Sequence, residues 1–326
     1  MALLGVAMLA VAASSGSGFP MLGLGTASGV RTAHVAGALE LGFRFFDTAQ
    51  SYEWGYREDE VGEAVAASAV PREEVFLQTK VHPDDLKRLA AVFPASLRNL
   101  RTGYVDALLM HRPGPGWQAA WGAMEQLRAE GKVRHLGVSN FDVALLTELL
   151  DGGVRGGGTG AAAALRAPLA VVQNWMDPFH QDEAVRALCA ARGVQYQAFS
   201  SLGGRWRHLR QLEREEEGAE NETGSSNPVL AHPLLVSIAK AHNRSVPLVV
   251  LRWQQQLGVS VIPASRSAAH QEELVMWLRP GGPIGWDSVS PARNSPPPEH
   301  SHALTPTPTP PAVRTHEARY ARYRRA

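Results

Sequence analysis

The chain lacks the features that mark several large classes of protein. Cys189 is its single cysteine, which excludes an internal disulfide and any zinc site or iron–sulfur cluster built on cysteines. Lys and Arg number 32 against 31 Asp and Glu, so a net charge of +1 gives no reason to expect nucleic acid or an anionic membrane as a partner. No apolar run reaches the ~18 residues that a membrane-spanning helix needs. We therefore expect no metal site and no nucleic-acid or membrane partner.

The N-terminus leaves two interpretations open. Residues 1–13 are apolar, and Ala10-Val-Ala12 is similar to a small-residue cleavage site. However, no Lys or Arg precedes Arg31, so the basic start of a secretory signal is missing. Residues 1–18 are interpreted as an apolar leader or a degenerate first hairpin, with a targeting peptide as the alternative. We expect a cytoplasmic protein.

Eight short apolar segments follow one another along the chain, and each predicts a strand covered on both faces because its apolar residues are nearly continuous. The segments are Met21–Gly25, Phe43–Asp47, Val75–Lys80, Val105–His111, His135–Ser139, Leu169–Gln173, Val194–Phe199 and Val259–Pro263. Helical patterns lie between them, as at residues 58–68, 117–130, 143–150 and 182–192, with a short last helix at residues 270–278. Glycines that suit a helix end follow several of these patterns, at Gly131, Gly152 and Gly193.

Alternating strands and helices predict a parallel sheet, and eight such units favour a single-domain (β/α)₈ TIM barrel over an open doubly wound sheet. The barrel is expected to span residues 19–280. Two insertions are predicted, a Gly/Ala tract at 152–167 and a charged, exposed loop at 205–227. Residues 281–326 are rich in Pro, Ser and Thr and predict a disordered tail.

Three ionisable residues, Asp47, Lys80 and His111, close three consecutive predicted strands. The carboxyl ends of barrel strands carry the chemistry in this fold, and a buried Lys needs a charged partner, for which Asp47 is placed. Tyr52 lies five residues after Asp47, and we expect the turn to fold its phenol back toward Lys80. A neighbouring ammonium stabilises phenolate, so Tyr52 is predicted to donate a proton to a carbonyl oxygen while His111 orients that oxygen.

Several motifs around these residues resemble the aldo-keto reductase superfamily. They are Gly42–Tyr52 (GFRFFDTAQSY), Leu109–Pro113 (LMHRP) and Gly131–Phe141 (GKVRHLGVSNF), and the similarity continues in Val171–Asn174, Gln197–Gly203, Val249–Trp253 and Ile262–Pro263. The resemblance covers roughly residues 19–278. It implies a (β/α)₈ barrel that reduces a small aldehyde or ketone to an alcohol with NAD(P)H, by direct hydride transfer.

The resemblance also assigns roles to individual residues. The implied catalytic set is Asp47, Tyr52, Lys80 and His111, with Tyr52 as the proton donor. Implied cofactor-binding residues are Thr26 and Asp47 beside the nicotinamide, Ser139, Asn140 and Gln173 at its carboxamide, Phe199 stacked on its ring, and Ser200 and Leu202 at the pyrophosphate. The substrate is expected to meet His111, Trp54, His82 and Arg112. A monomer is expected.

The chain departs from the family pattern at the site for the adenosine 2′-phosphate. The family commonly has Lys-Ser where this chain has Ala264-Ser265, and an Arg where it has His270. NADPH is the expected cofactor, held by Ser265 with Arg266 or His270 in place of the missing Lys, and NADH stays possible because of Ala264.

Three alternatives to the reductase remain from the residues alone. One is a non-catalytic, cofactor-binding regulatory barrel. Another is a lyase that forms a Schiff base on Lys80. The third, suggested by the altered phosphate site and the short last helix, is a chain that folds poorly.

Overall fold

The computed structural model describes residues 19–151, 167–206 and 227–278. The predicted leader at 1–18, the tail at 281–326 and Gly152 lie outside these residues, as do nearly all of the two predicted insertions. The domain division therefore stays a prediction. Of the loop predicted to be exposed at 205–227, Trp206 is described, and the expectation is wrong there because its side chain is buried against Trp175 and Val229.

Eight parallel strands form one sheet in chain order, which confirms the barrel prediction. The strands are β1 (Leu24–Gly25), β2 (Phe45–Asp47), β3 (Phe76–Val81), β4 (Val105–Met110), β5 (Val133–Ser139), β6 (Leu169–Trp175), β7 (Gln195–Phe199) and β8 (Ser260–Val261). The sheet closes on itself because the Gly23 N–H donates to the Val261 carbonyl at 2.9 Å and the Val261 N–H donates to the Met21 carbonyl at 3.1 Å.

Helices alternate with the strands in the described residues. They are α1 (Thr32–Leu41), α2 (Glu58–Ala67), α3 (Leu89–Asn99), α4 (Trp117–Ala129), α5 (Val143–Asp151), α6 (Glu183–Ala191), α7 (Pro233–Ala241), α8 (Val246–Gln256) and α9 (Ala268–Leu278). Gly131 and Gly193 follow α4 and α6 with φ of 74° and 66°, as predicted for left-handed helix ends. The last helix begins at Ala268, two residues before the predicted start.

Alternate residues of each strand fill the inside of the barrel, which decides where the polar side chains lie. Aromatic side chains close the floor: Phe76 packs edge-on against Phe19 and Phe45, with ring centroids 5.2 and 5.0 Å apart, and His135 lies 5.0 Å from Phe19. Burying Phe19 and Phe45 fully contributes about 2 kcal/mol of stability each, and Phe76 is partly buried against them. Above this floor the same strands carry polar residues toward the carboxyl end, so the functional side chains rest on an apolar base.

No single helix in residues 19–151, 167–206 and 227–278 is long and apolar enough to cross a membrane, although α7 and α8 together, with a 90° bend between them, have the length and composition for it. No group of three or more potential metal ligands occurs in this part of the chain.

Candidate active site

A buried ion pair lies at the carboxyl end of the barrel. Lys80, at the penultimate position of β3, is fully buried and donates to Asp47 Oδ2 at 2.7 Å and to the Thr48 carbonyl at 3.0 Å. Burial lowers the pKa of Lys80, but Asp47 together with Tyr56 outweighs this effect, so the pKa lies above its ordinary value. Lys80 therefore keeps its proton at neutral pH, and the predicted pairing with Asp47 is present.

The other oxygen of Asp47 belongs to a closed ring of hydrogen bonds that crosses the barrel interior. Gln78 Nε2 and Gln173 Nε2 both donate to Asp47 Oδ1, at 2.6 and 3.0 Å. The same two amide groups donate to Gln197 Oε1, at 2.7 and 2.6 Å. All four side chains are buried, so the two bonds to Asp47 replace water that its carboxylate has lost, and the other two satisfy Gln197 Oε1. Asp47 is thus fixed by Lys80 and Gln78 of β3 and by Gln173 of β6, while Gln197 of β7 holds the two glutamines in place.

The structure places Tyr56, and not Tyr52, beside the ammonium of Lys80. Lys80 Nζ lies 3.5 Å from Tyr56 Oη and 4.8 Å from the centre of the Tyr56 ring. Tyr52 is 52% exposed, and its hydroxyl accepts a hydrogen bond from Asn99 Nδ2 at 3.2 Å. The expectation that the turn folds Tyr52 toward Lys80 is therefore wrong for this structure.

The reason is an extra turn between β2 and α2. Residues Tyr52–Trp54 form one turn of 3₁₀-helix, which sends the Tyr52 side chain toward the end of α3. The turn ends at Gly55, whose φ of 81° suits glycine, and whose backbone lies so close to Ser28 and Gly29 that a side chain would be crowded. The chain then reverses, and Tyr56 returns to the barrel mouth. The prediction of Tyr52 counted five residues from Asp47 and did not include this turn.

Tyr56 and His111 face the same space with their protonation states set by burial. Burial raises the pKa of Tyr56 above its ordinary value, opposed by the charge of Lys80, so the phenol keeps its proton at neutral pH. Burial lowers the pKa of His111 well below its ordinary value, and the charges of Lys80 and Arg112 lower it further. The two rings lie 6.0 Å apart, nearly perpendicular. The site therefore holds a neutral imidazole next to a protonated phenol.

The backbone and ring of His111 are both held. Its N–H donates to the Val81 carbonyl at 3.0 Å, and its carbonyl accepts from Asn140 Nδ2 at 2.9 Å. Its Nδ1 lies 2.8 Å from the hydroxyl oxygen of buried Ser51. His111 therefore lies near Lys80 and a tyrosine, as predicted, but the tyrosine is Tyr56 and not Tyr52.

The residues predicted for the nicotinamide carboxamide come together at the ends of β5 and β6. Ser139 pairs with Gln173 in the sheet, and the N–H of Asn140, in left-handed backbone with a φ of 61°, donates to the Gln173 carbonyl at 3.1 Å. Thr26 is adjacent to Asp47, because its hydroxyl donates to the Asp47 carbonyl at 2.9 Å. A primary amide needs both donors and acceptors, and this set of hydroxyl and amide groups supplies both, so it fits a nicotinamide.

The segment predicted to hold the pyrophosphate follows β7 and is anchored from β6. Phe199 and Leu202 pack against the cluster of Trp175 and Trp206, and Ser200 has a positive φ of 54°. Asp177 joins the two tryptophans, because both indole N–H groups donate to its Oδ2, at 3.0 Å from Trp175 and 2.8 Å from Trp206. Burial raises the pKa of Asp177 to about 6.

The residues predicted at the adenosine phosphate lie at the start of α9. Ala264, Arg266 and His270 are exposed, and the Ser265 hydroxyl accepts from the Ser267 N–H at 3.2 Å. The Arg266 side chain lies along Gly29 in the loop after β1. The amino end of a helix and a nearby guanidinium both favour an anion.

The residues predicted to meet the substrate lie around the extra turn. The Arg112 guanidinium lies 5.4 Å from the centre of the half-exposed Trp54 ring. His82 Nε2 lies 3.2 Å from Glu53 Oε1 on the same turn. Trp54, His82 and Arg112 therefore lie together on one rim of the barrel mouth. Glu53 belongs to the same rim and was not predicted.

Comparison with known proteins gives the family. A model of the aldo/keto reductase family matches residues 26–278. The chain belongs to this family.

Several relatives are named as reductases or dehydrogenases. The chain is 34% identical to morphine 6-dehydrogenase of Pseudomonas putida, over 77% of this chain and 80% of that protein. It is 33% identical to glyoxal reductase of Bacillus subtilis, over 72% of each. A crystal structure of an aldo/keto reductase from Brucella melitensis matches with a TM-score of 0.63 and 30% identity, covering 78% of this chain and 87% of that one.

These relatives support NAD(P)H-dependent reduction of a carbonyl group, so this aldo/keto reductase is an oxidoreductase with a nicotinamide cofactor. Nothing among them supports the non-catalytic barrel.

Five residues of this site were not predicted from the sequence. Ser51 precedes the extra turn, Glu53 lies within it and Tyr56 follows it, and Gln78 and Gln197 are polar residues inside β3 and β7. Gln78 was detectable, because it stands two residues before Lys80 and a period of two puts both side chains on one face of the strand. The signal for Tyr56 was weaker: it follows Gly55 and stands two residues before the acidic start of α2.

Proposed function

We propose that this aldo/keto reductase reduces the carbonyl group of a small aldehyde or ketone, with Tyr56 as the proton donor. The observation that carries the proposal is the position of Lys80, which contacts Asp47 on one side and Tyr56 on the other. The ammonium stabilises the negative charge that forms on the phenol oxygen as its proton leaves. The Tyr52 hydroxyl contacts Asn99 and not Lys80, so Tyr52 is not proposed as the donor.

The residues at the barrel mouth have separate roles in the proposed reaction. Ser139, Asn140 and Gln173 would hold the nicotinamide, which supplies hydride to the carbonyl carbon. His111 and Tyr56 orient the carbonyl oxygen, and the proton on Tyr56 Oη passes to that oxygen as negative charge develops there. Asp47 keeps Lys80 in place and charged throughout.

The rim supports a small, polar carbonyl compound. Trp54 gives it an apolar face, while Arg112, His82 and Glu53 surround that face with charged or polar groups. One relative is named glyoxal reductase, and another, from Salmonella typhimurium, is named methylglyoxal reductase. We therefore choose glyoxal and methylglyoxal as the first substrates to test.

Transfer of deuterium tests the reaction. The protein is incubated with NADPH that carries deuterium at the transferred position of the nicotinamide, together with methylglyoxal, and the alcohol is analysed by mass spectrometry. We expect one carbon-bound deuterium in the product for each NADPH oxidised. Cofactor binding without labelled alcohol, across a panel of aldehydes and ketones, would contradict the reductase. Borohydride trapping of a substrate carbon on Lys80 would support the lyase in its place.

For the cofactor we propose NADPH over NADH, with Arg266 and His270 at the 2′-phosphate. The support is that both side chains are exposed at the amino end of α9. In a fluorescence titration, we expect Arg266→Ala to weaken NADPH binding by about tenfold, as loss of one charge-assisted contact does. NADH binding is the internal control and is expected to stay unchanged. Equal affinity of the unaltered protein for both cofactors would contradict the preference.

Two further proposals concern the oligomeric state and the location of the protein. A monomeric state and a cytoplasmic location are proposed on the sequence alone, and size-exclusion chromatography with light scattering tests the first of them.

A further inference from the structure

We propose that Ser51 is a positioning residue, which holds His111 in the tautomer that carries its hydrogen on Nε2. This inference rests on the proposed function, because it concerns how His111 presents itself to a carbonyl oxygen. Ser51 is buried at the start of the extra turn, and its hydroxyl oxygen lies 2.8 Å from His111 Nδ1.

Hydrogen bonds hold both sides of the contact between Ser51 and His111. The neighbour of Ser51, Gln50, is held by its N–H to the Lys80 carbonyl at 3.1 Å and by its amide group to Ser96 Oγ at 2.8 Å. The backbone of His111 is fixed to Val81 and Asn140. Neither partner has to move for the bond to form, so it exists before any ligand binds.

The chemistry of the ring gives the bond its direction. His111 is neutral, because burial and the charges of Lys80 and Arg112 hold its pKa well below the ordinary value. A neutral imidazole carries one hydrogen, on either Nδ1 or Nε2. Nδ1 is turned toward Ser51, which leaves Nε2 for the ligand.

A carbonyl oxygen only accepts hydrogen bonds, so His111 has to donate to it from Nε2. Nδ1 then keeps a lone pair, and the Ser51 hydroxyl, which can donate or accept, has to donate to it. Without Ser51 the two tautomers become closer in energy, and part of the population presents a lone pair toward the carbonyl oxygen, which repels it.

The test measures the tautomer directly, without cofactor or substrate. In protein labelled with ¹⁵N-histidine, nuclear magnetic resonance distinguishes a protonated from an unprotonated ring nitrogen, and the His111 signals are assigned by their loss in His111→Gln. We expect hydrogen on Nε2 alone in the unaltered protein. In Ser51→Ala we expect a substantial Nδ1–H population and a fall in kcat of about tenfold, the effect of losing one ordinary hydrogen bond, with little change in KM.

Two variants separate this role from a structural one. Ser51→Thr keeps the hydroxyl and is expected to restore both the tautomer and kcat. Ser96→Ala removes a buried hydroxyl near the same segment but leaves the Ser51 hydroxyl and the Gln50 N–H bond to the Lys80 carbonyl in place, so it is expected to leave the tautomer unchanged. Hydrogen on Nδ1 in the unaltered protein, or an unchanged tautomer in Ser51→Ala, would overturn the inference. A substantial Nδ1–H population in Ser51→Ala would support the inference even if the protein reduced no carbonyl compound. The absence of reduction would then count against the proposed function alone.

Discussion

Replacing Tyr56 with phenylalanine is expected to lower kcat by about 10³-fold, within the range that positioned acid catalysis contributes. The variant keeps the ring that packs beside Lys80 and His111 but removes the proton that would pass to the carbonyl oxygen. Because the loss falls on the chemical step, the affinity for NADPH should stay within about twofold of the original.

Tyr52→Phe is the matched control, since it removes the same atom four residues away. Its hydroxyl contacts Asn99 at the surface, so we expect kcat to change by less than about twofold, as for most surface substitutions. The comparison is made with methylglyoxal as substrate and with unfolding curves for both variants. A large loss of kcat in Tyr52→Phe, with full activity in Tyr56→Phe, would mean that Tyr52 is the proton donor.

Replacing Lys80 with methionine is expected to affect both stability and rate. The substitution leaves Asp47 as a buried carboxylate without its cation, which costs about 3–5 kcal/mol of the free energy of unfolding. It also removes the charge that stabilises phenolate on Tyr56, for which we expect a fall in kcat of at least about 10²-fold, as for loss of one group that stabilises developing charge. Denaturant unfolding and steady-state rates measure the two effects.

A double variant separates the two effects of Lys80. Asp47→Asn combined with Lys80→Met removes both charges, so part of the lost stability should return while activity should not. Recovery of activity together with stability would mean that Lys80 serves folding only. The same unfolding curves test the alternative of a poorly folding chain, since the unaltered protein should unfold in one cooperative transition.

The barrel could be predicted because its pattern is local. Each buried strand is a short apolar run, and each end is marked by a turn or a helix signal, so the eight strands are found within a few residues of their predicted bounds. Asp47, Lys80 and His111 follow from the same pattern, because the carboxyl ends of parallel strands share one mouth.

The partners across the mouth could not be predicted in the same way. Whether Tyr52 or Tyr56 reaches Lys80 depends on a 3₁₀ turn and on the close approach of Gly55 to Ser28, which is a contact between distant parts of the chain. The ring of hydrogen bonds among Asp47, Gln78, Gln173 and Gln197 likewise joins four strands, and a local sequence pattern does not show how these strands are positioned relative to one another. The strand pattern sets which residues reach the mouth, and tertiary contacts decide which of them meet.

A crystal structure of the protein with oxidised cofactor and an unreactive carbonyl compound tests the central claim most directly. We predict that the carbonyl oxygen lies within about 3.2 Å of both Tyr56 Oη and the Nε2 of His111, the distance at which a proton can pass. Tyr52 should remain on Asn99. A carbonyl oxygen bound by Tyr52, with Tyr56 turned away from it, would contradict the account.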